Sequence, residues 1–221
     1  MTSKFNSYWL LVLVPIAFLA WYLAAKKEAK PVRFLAYFGP KNALKANDTT
    51  YHFIPPFVFT SQFNEPVSQD SVRNKIYVAD FFFTTCGSIC PIMSSNLERV
   101  YQEFKNNPEV LILSHTVDPE TDSVHVMADY ARLHGVTDRR WLFLTGHKPA
   151  LYEVARKGYL LNAEEGNGGA EDFIHTQNFA LVDKEHHIRG FYDGTDSLEI
   201  ERLIREIKLL LKEYEYKAGH S

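Results

Sequence analysis

Cysteine is scarce in this chain: its 221 residues include two, Cys86 and Cys90. With no third thiol, cysteine cannot complete a structural zinc site of four protein ligands. Basic residues are in deficit, 24 lysines and arginines against 27 aspartates and glutamates, for a net charge of -3 and a pI near 6.3. That balance lacks the basic footprint of a nucleic-acid binder, so no nucleic-acid partner is expected. No internal repeat with a period of roughly 20 to 50 residues occurs, and no low-complexity tract is present. Proline is absent beyond Pro149. The length suits one globular domain with appendages.

Both cysteines fall in one stretch, FFFTTCGSICP, Phe81 to Pro91. The apolar run from Ile76 to Phe83, interrupted only by Asp80, reads as a central strand covered on both faces. Gly87 and Ser88 favour a turn. Pro91 has a preset φ and no donor, which suits a first helical position, so a helix is expected from there to about Asn106. Thiols at a helix N-terminus feel the positive end of the backbone dipole, which favours thiolate. Such sulfurs serve as metal ligands or as redox groups. On a regular helix, residues four apart hold their Cβ atoms ~5 to 6 Å apart, wider than the ~3.5 to 4.5 Å of a disulfide. Cys86 lies in the turn and can swing inward, so reduced thiols, a small structural disulfide and a redox pair all remain open.

The one long apolar run is Tyr8 to Ala25, with Trp9, Trp21 and Tyr22 near its ends and Lys4, Lys26 and Lys27 outside it. It has about the minimum length of a membrane span and lacks a clear small-x-small cleavage site, so residues 1–30 are expected to form an uncleaved transmembrane anchor. Lys26, Lys27, Lys30 and Arg33 taken alone would keep the following domain in the cytoplasm, although long domains translocate regardless of flanking charge. Residues 31–50 lack a sustained period and read as a part-ordered tether. Residues 51–214 form the expected domain, and residues 215–221 a polar tail.

Within that domain Tyr51 to Thr60 reads as an extended entry strand, its prolines suited to an edge. The helix from Pro91 shows Ile92, Leu97, Val100, Tyr101 and Phe104 at helical spacing. Val110 to Val117 is a second apolar strand, followed by Asp118-Pro-Glu-Thr-Asp122 and a helix over Val124 to Leu133. A short strand at Trp141 to Leu144 and a helix over Pro149 to Arg156 follow. Asn178 to Val182 and Ile188 to Tyr192 flank a hairpin, and Ser197 to Tyr214 is an amphipathic helix with Leu198, Leu203, Ile204, Ile207, Leu210 and Leu211 inward. The sum is an α/β domain with a mixed sheet flanked by helices. In such sheets the site lies at the carboxyl ends of the parallel strands, where Cys86, Asp118 and Thr145 would fall.

A copper or zinc site on two thiolates needs a further donor, and nine histidines are on offer. His115 sits inside a strand and reads as packed; His125 and His134 lie on a helix. His186 and His187 occupy a hairpin tip, where polar residues are expected for turn reasons. His175 stands between the glycine-rich loop, Glu164 to Gly169, and the strand beginning near Asn178, an approach from which it can reach the strand-end rim.

Four separated segments, FFTTCGSICP (Phe82 to Pro91), VDPETD (Val117 to Asp122), WLFLTG (Trp141 to Gly146) and His175-Thr176 leading into FALVD (Phe179 to Asp183), together resemble the Sco/SenC family. The resemblance covers about residues 52 to 212. It implies a thioredoxin-like fold and copper bound by Cys86, Cys90 and His175. Apart from the resemblance, Asp118 has two readings: it tunes the site or binds a partner, or, as such an Asp-Pro-Glu more often does, it caps the following helix. It further implies a periplasmic or intermembrane-space-facing domain; for a bacterial inner membrane, an anchored domain in the periplasm. Copper delivery to the binuclear copper site of cytochrome c oxidase would follow, the acceptor being its copper-bearing subunit and the donor another copper chaperone. Where family members often carry proline after the first cysteine, Gly87 stands here. The donor chemistry agrees: two thiolates and an imidazole suit three-coordinate Cu(I), with a weak fourth donor for Cu(II).

A membrane-anchored thiol:disulfide oxidoreductase is the rival. Thioredoxin-like enzymes generally set a cis-proline before a later strand, and Ile174-His175-Thr176 occupies that place here. A redox or copper sensor is the third reading, and the acidic, glycine-rich Glu164 to Glu171 suits a docking loop or, on composition, a solvated connector.

Overall fold

A computed structural model describes residues 13–18, 21–22, 34–45, 48–161 and 176–220. The chain divides into two compact units, Met1–Arg33 and Phe34–Ser221. In the first, residues 13–18 and 21–22 are helical, and Leu13, Val14, Ile16, Phe18 and Trp21 are all exposed. Most of the expected anchor lies outside the described residues. Among the described residues no helix is long and apolar enough to cross a membrane.

The second unit contains nine strands among its described residues: β1 (Lys41–Lys45), β2 (Asp48–Tyr51), β3 (Val58–Ser61), β4 (Pro66–Ser68), β5 (Ile76–Phe82), β6 (Val110–Thr116), β7 (Trp141–Thr145), β8 (Asn178–Val182) and β9 (Ile188–Asp193). Its helices are α1 (Cys90–Phe104), α2 (Val124–Leu133), α3 (Lys148–Glu153) and α4 (Ser197–Ala218). Seven strands form one sheet in the order β4-β3-β7-β6-β5-β8-β9. β5, β6 and β7 are parallel, in register from Ile76 with Val110 and from Ile112 with Trp141. β3 joins β7 antiparallel, and β8 joins β5 antiparallel. Parallel neighbours require crossover connections, which α1 and α2 supply; the antiparallel β8 and β9 need only a hairpin.

All seven residues of β5 are buried, as are all seven of β6, the pattern of strands with helices on both faces. Alternation divides β5 between two cores. Ile76, Val78 and Phe82 meet Met93, Leu97 and Val100 of α1 and Ile200, Leu203 and Ile207 of α4. Tyr77, Ala79 and Phe81 face Leu151, Tyr152 and the segment around Phe57. The mixed, helix-flanked sheet expected from the pattern is therefore present.

Several local expectations are corrected. The inward stripe of α1 runs through Met93, Leu97, Val100, Tyr101 and Phe104, which turns Ile92 out to 50% exposure. In α4 the stripe is Ile200, Leu203, Ile207 and Leu210, and Leu198 falls off it, 71% exposed. The third helix is regular only to Glu153, and Val154–Gly158 widens into a π-turn. Within the stretch read as a tether, β1 and β2 pair as an antiparallel hairpin. Residues 34–38 run against the domain: Phe38 donates its N–H to the Ile188 carbonyl at 2.9 Å. Arg189, fully buried, donates to the carbonyls of Leu35 at 2.7 Å and Ala36 at 3.2 Å. These backbone attachments have no periodic signature.

Candidate metal and thiol site

The site is built where β5 ends. Val117 donates its N–H to the Phe82 carbonyl at 2.9 Å, the last rung of the ladder, and Cys86 donates to the Phe83 carbonyl at 3.2 Å, closing the turn that follows. Cys90 is the first residue of α1, with Pro91 behind it where no helical donor is needed. Both sulfurs are free thiols, Cys90 buried and Cys86 partly open. They line a cavity of about 120 Å³ with Phe83, Ile89, Val117 and Thr176. A larger groove of about 520 Å³ between residues 52–59 and α3 contains no thiol.

The two thiols are electrostatically unlike. For Cys86, partial burial pushes the thiol up, but hydrogen bonds from the Cys90 thiol, from Ser88 and from the Cys90 N–H outweigh it and bring the pKa down to about 7. The Cys90 N–H lies 3.4 Å from the Cys86 sulfur, so an unpaired donor of the first helical turn serves the thiolate. For Cys90, burial pushes the thiol up to about 12, reinforced by its hydrogen bond to Cys86. The expectation that the helix terminus activates both sulfurs is therefore corrected: the dipole is outweighed at Cys90 by loss of water.

Beneath Cys90 lies a buried polar chain. Ser114 on β6 donates to Asp80 on β5 at 2.5 Å, and the Trp141 indole donates to Ser114 at 2.8 Å. Burial raises the Asp80 carboxyl to about 7 against the opposing pull of Ser114. His115 is packed as expected, fully buried and stacked on Phe81 at 5.0 Å, and burial lowers it to about 4.

Of the expected site residues, Cys86 and Cys90 come together. His175 lies outside the described residues, while its neighbour Thr176 is in the cavity wall. Asp118 stands at the end of β6, its N–H bonded to Thr116 Oγ1 at 2.9 Å. The helix that follows is capped by Ser123, whose hydroxyl accepts from the Val126 N–H at 3.4 Å, a role the pattern had offered to the Asp118 segment. The carboxylate that reaches the cysteine loop belongs to Asp122. It accepts from the Thr84 N–H at 3.2 Å and the Thr84 hydroxyl at 2.5 Å. The signal available in sequence was Thr84, two residues before the first cysteine, and Thr116, which ends the next strand.

A thiol pair opening the helix after the central strand of a mixed, helix-flanked sheet defines a thioredoxin-like protein. Comparison with known proteins narrows the class. The SCO1/SenC family model matches residues 45–212, and the chain belongs to that family. A SCO1 protein homolog of Bacillus subtilis (strain 168) is 29% identical over 163 residues, 73% of this chain and 84% of that one. The solved structure of a SCO1/SenC family lipoprotein from Bacillus anthracis covers 72% of this chain and 95% of its own, at 25% identity and a TM-score of 0.62. That of BsSco covers 72% and 93%, at 29% identity and a TM-score of 0.61. BsSco is described there as carrying a disulfide switch and as a member of the Sco family of cytochrome c oxidase assembly proteins.

Proposed function

We propose that this protein is a copper carrier for cytochrome c oxidase assembly, taking copper as cargo on Cys86, Cys90 and His175 and releasing it to the binuclear copper site. The observation that carries the reading is the shared cavity: both thiols and Thr176 form one wall. His175, which lies outside the described residues, directly precedes Thr176 in the sequence. The donor set fits the ion, since two soft sulfurs and an imidazole favour Cu(I). Hydrogen bonds bring the Cys86 thiol down to about 7, while Cys90 must lose its proton as the metal arrives, a linkage that makes uptake proton-releasing. The cargo leaves by ligand exchange with an acceptor's thiols, which the opening beside Cys86 admits.

The unlike thiols favour a second, compatible activity. A partly exposed, acidic Cys86 can attack a partner's disulfide, and the buried Cys90 can resolve the mixed disulfide, leaving the partner reduced and the pair oxidised. The domain works outside the cytoplasm, tethered through residues 1–30, with a copper-donating chaperone upstream and the copper-bearing oxidase subunit downstream. Asp118, which follows β6, is assigned to tuning the site or to binding a partner.

The test is reconstitution of reduced residues 31–221 with Cu(I), comparing wild type, Cys86→Ser, Cys90→Ser and His175→Ala by bound-metal count and X-ray absorption. One ion per chain in two-sulfur, one-nitrogen ligation is expected, with the nitrogen lost in His175→Ala. Unaltered ligation in that variant removes His175 from the site.

A further inference from the structure

We propose that Asp122 is a positioning residue for the thiol site, its buried carboxylate fixing, through Thr84, the loop that carries Cys86. The inference rests on the copper and thiol reading above and adds a residue to it.

Asp122 is fully buried, and both of its oxygens are committed. One accepts from the Thr84 hydroxyl at 2.5 Å and the Thr84 N–H at 3.2 Å. The other accepts from the same N–H at 3.3 Å and from the Thr116 hydroxyl at the end of β6. Asp122 in turn donates its own N–H to the Asp118 carbonyl at 2.8 Å. Every donor to this carboxylate is neutral, so its charge is held by directed hydrogen bonds alone. A buried carboxylate in that condition tolerates little displacement, because each lost donor leaves it short of solvation.

The clamp acts on the upstream side of Cys86, where it is the buried carboxylate that holds the main chain. Upstream, Thr84 is gripped by main chain and side chain together, and Cys86 hangs two residues further on, its N–H on the Phe83 carbonyl. Downstream, Gly87 is exposed, and a Cβ placed on it would meet no atom within 4 Å. Beyond the sulfur the loop is held by the bonds of Cys86 to Ser88 and to the Cys90 N–H, and before it by the buried Asp122 carboxylate. What the clamp sets is the approach of Cys86 Sγ to the first N–H of α1, 3.4 Å away. Asp122 donates to neither sulfur and acts through Thr84.

The full-length protein, reduced and copper-free in detergent, tests this with Asp122→Asn, Thr84→Val and Thr84→Ser. Three quantities are read: the iodoacetamide rate at Cys86 near neutral pH by peptide mass mapping, the Cu(I) affinity by competition with a chromophoric chelator, and stability in urea. Asp122→Asn and Thr84→Val should slow alkylation of Cys86 several-fold and weaken Cu(I) binding about tenfold or more, the usual effect of losing a group that orients a ligand. Thr84→Ser should restore both. Thr84→Val keeps the Asp122 to Thr116 bond, so it reports even where Asp122→Asn folds poorly. The proposal is overturned if Thr84→Val alkylates at the wild-type rate or faster, or binds Cu(I) as tightly as wild type, whatever its stability. If wild type itself binds no Cu(I), the carrier reading fails separately, and the alkylation rates alone decide the role of Asp122.

Discussion

The amide N–H of Cys90 is aimed at the sulfur of Cys86 across 3.4 Å, so the first residue of α1 donates to the thiol of the turn before it. A bond to sulfur favours the ionised form, and with the Ser88 and Cys90 side-chain bonds it holds Cys86 at about 7 while burial takes Cys90 to about 12. Iodoacetamide labelling should therefore rise through a midpoint near pH 7, entirely at Cys86. Cys90 should stay unlabelled over that range in the folded protein and become reactive on unfolding. Equal labelling of the two cysteines, or a midpoint near the ordinary thiol value, would show that the asymmetry is absent in solution.

Gly87 follows Cys86 in a place where its missing side chain serves no evident steric need. Open space surrounds the position of its Cβ, and its φ lies outside the left-handed region. Replacing such a glycine by alanine stabilises a protein by about 0.4–1 kcal/mol, through the entropy of the unfolded chain. Gly87→Ala should accordingly be neutral to slightly stabilising in urea titrations and should leave Cys86 reactivity intact. A clear loss of stability would mean that the loop samples a conformation only glycine can adopt.

Legibility in the sequence followed periodicity. β5 was readable because burial on both faces demands a nearly unbroken apolar run, and α1 because Leu97, Val100, Tyr101 and Phe104 repeat at helical spacing. The hairpin of β8 and β9 was readable from two apolar runs around a polar tip. What escaped is carried by contacts between distant residues. Asp122 meets Thr84 across 38 positions, and a turn of Asp-Pro-Glu-Thr-Asp does not say which carboxylate will be the buried one. The unlike thiols escaped for the same reason, since residue type cannot reveal that one sulfur of a pair is buried and the other partly open. Ile92 and Leu198 were misplaced because helical spacing fixes a stripe only to within about one residue. His175 was marked by its place after the glycine-rich loop, but its assignment as a ligand beside the cysteines rests on family resemblance, a kind of information that spacing lacks.

Arg189 joins three parts of the second unit. It donates to Asp183 at 2.9 Å and to Glu213 on α4 at 2.9 Å, and the carbonyls of Leu35 and Ala36 complete its fork. Its guanidinium also lies 4.2 Å from the ring centre of Tyr37. Arg189→Met should destabilise the protein by roughly 3–5 kcal/mol, because it leaves the buried Asp183 without its cation and Glu213 with Lys217 alone. Replacing Asp183 and Glu213 at the same time by asparagine and glutamine should recover much of that loss. Urea denaturation of the single and triple variants checks both, and a small effect of Arg189→Met would show that residues 34–37 and α4 are held by apolar packing alone.

Asp80 carries the clearest pH dependence of stability. Its side chain is fully buried, and burial lifts the carboxyl from an ordinary 3.8 to about 7, against the Ser114 hydroxyl, which favours the charged form. The unfolded chain therefore releases this proton at a pH where the folded chain still holds it. The favourable contribution is complete below about pH 4 and is lost as pH rises to about 7, after which both states are ionised and the difference stays constant. A shift of about three units corresponds to on the order of 4 kcal/mol. Asparagine keeps the shape and a carbonyl for the Ser114 hydroxyl, and it does not ionise. Asp80→Asn should thus match wild type near pH 4 and exceed it by a few kcal/mol near pH 8, measured by urea unfolding across that range. Stability curves that run parallel at every pH would mean that water reaches Asp80 and that its carboxyl titrates as it does on a surface.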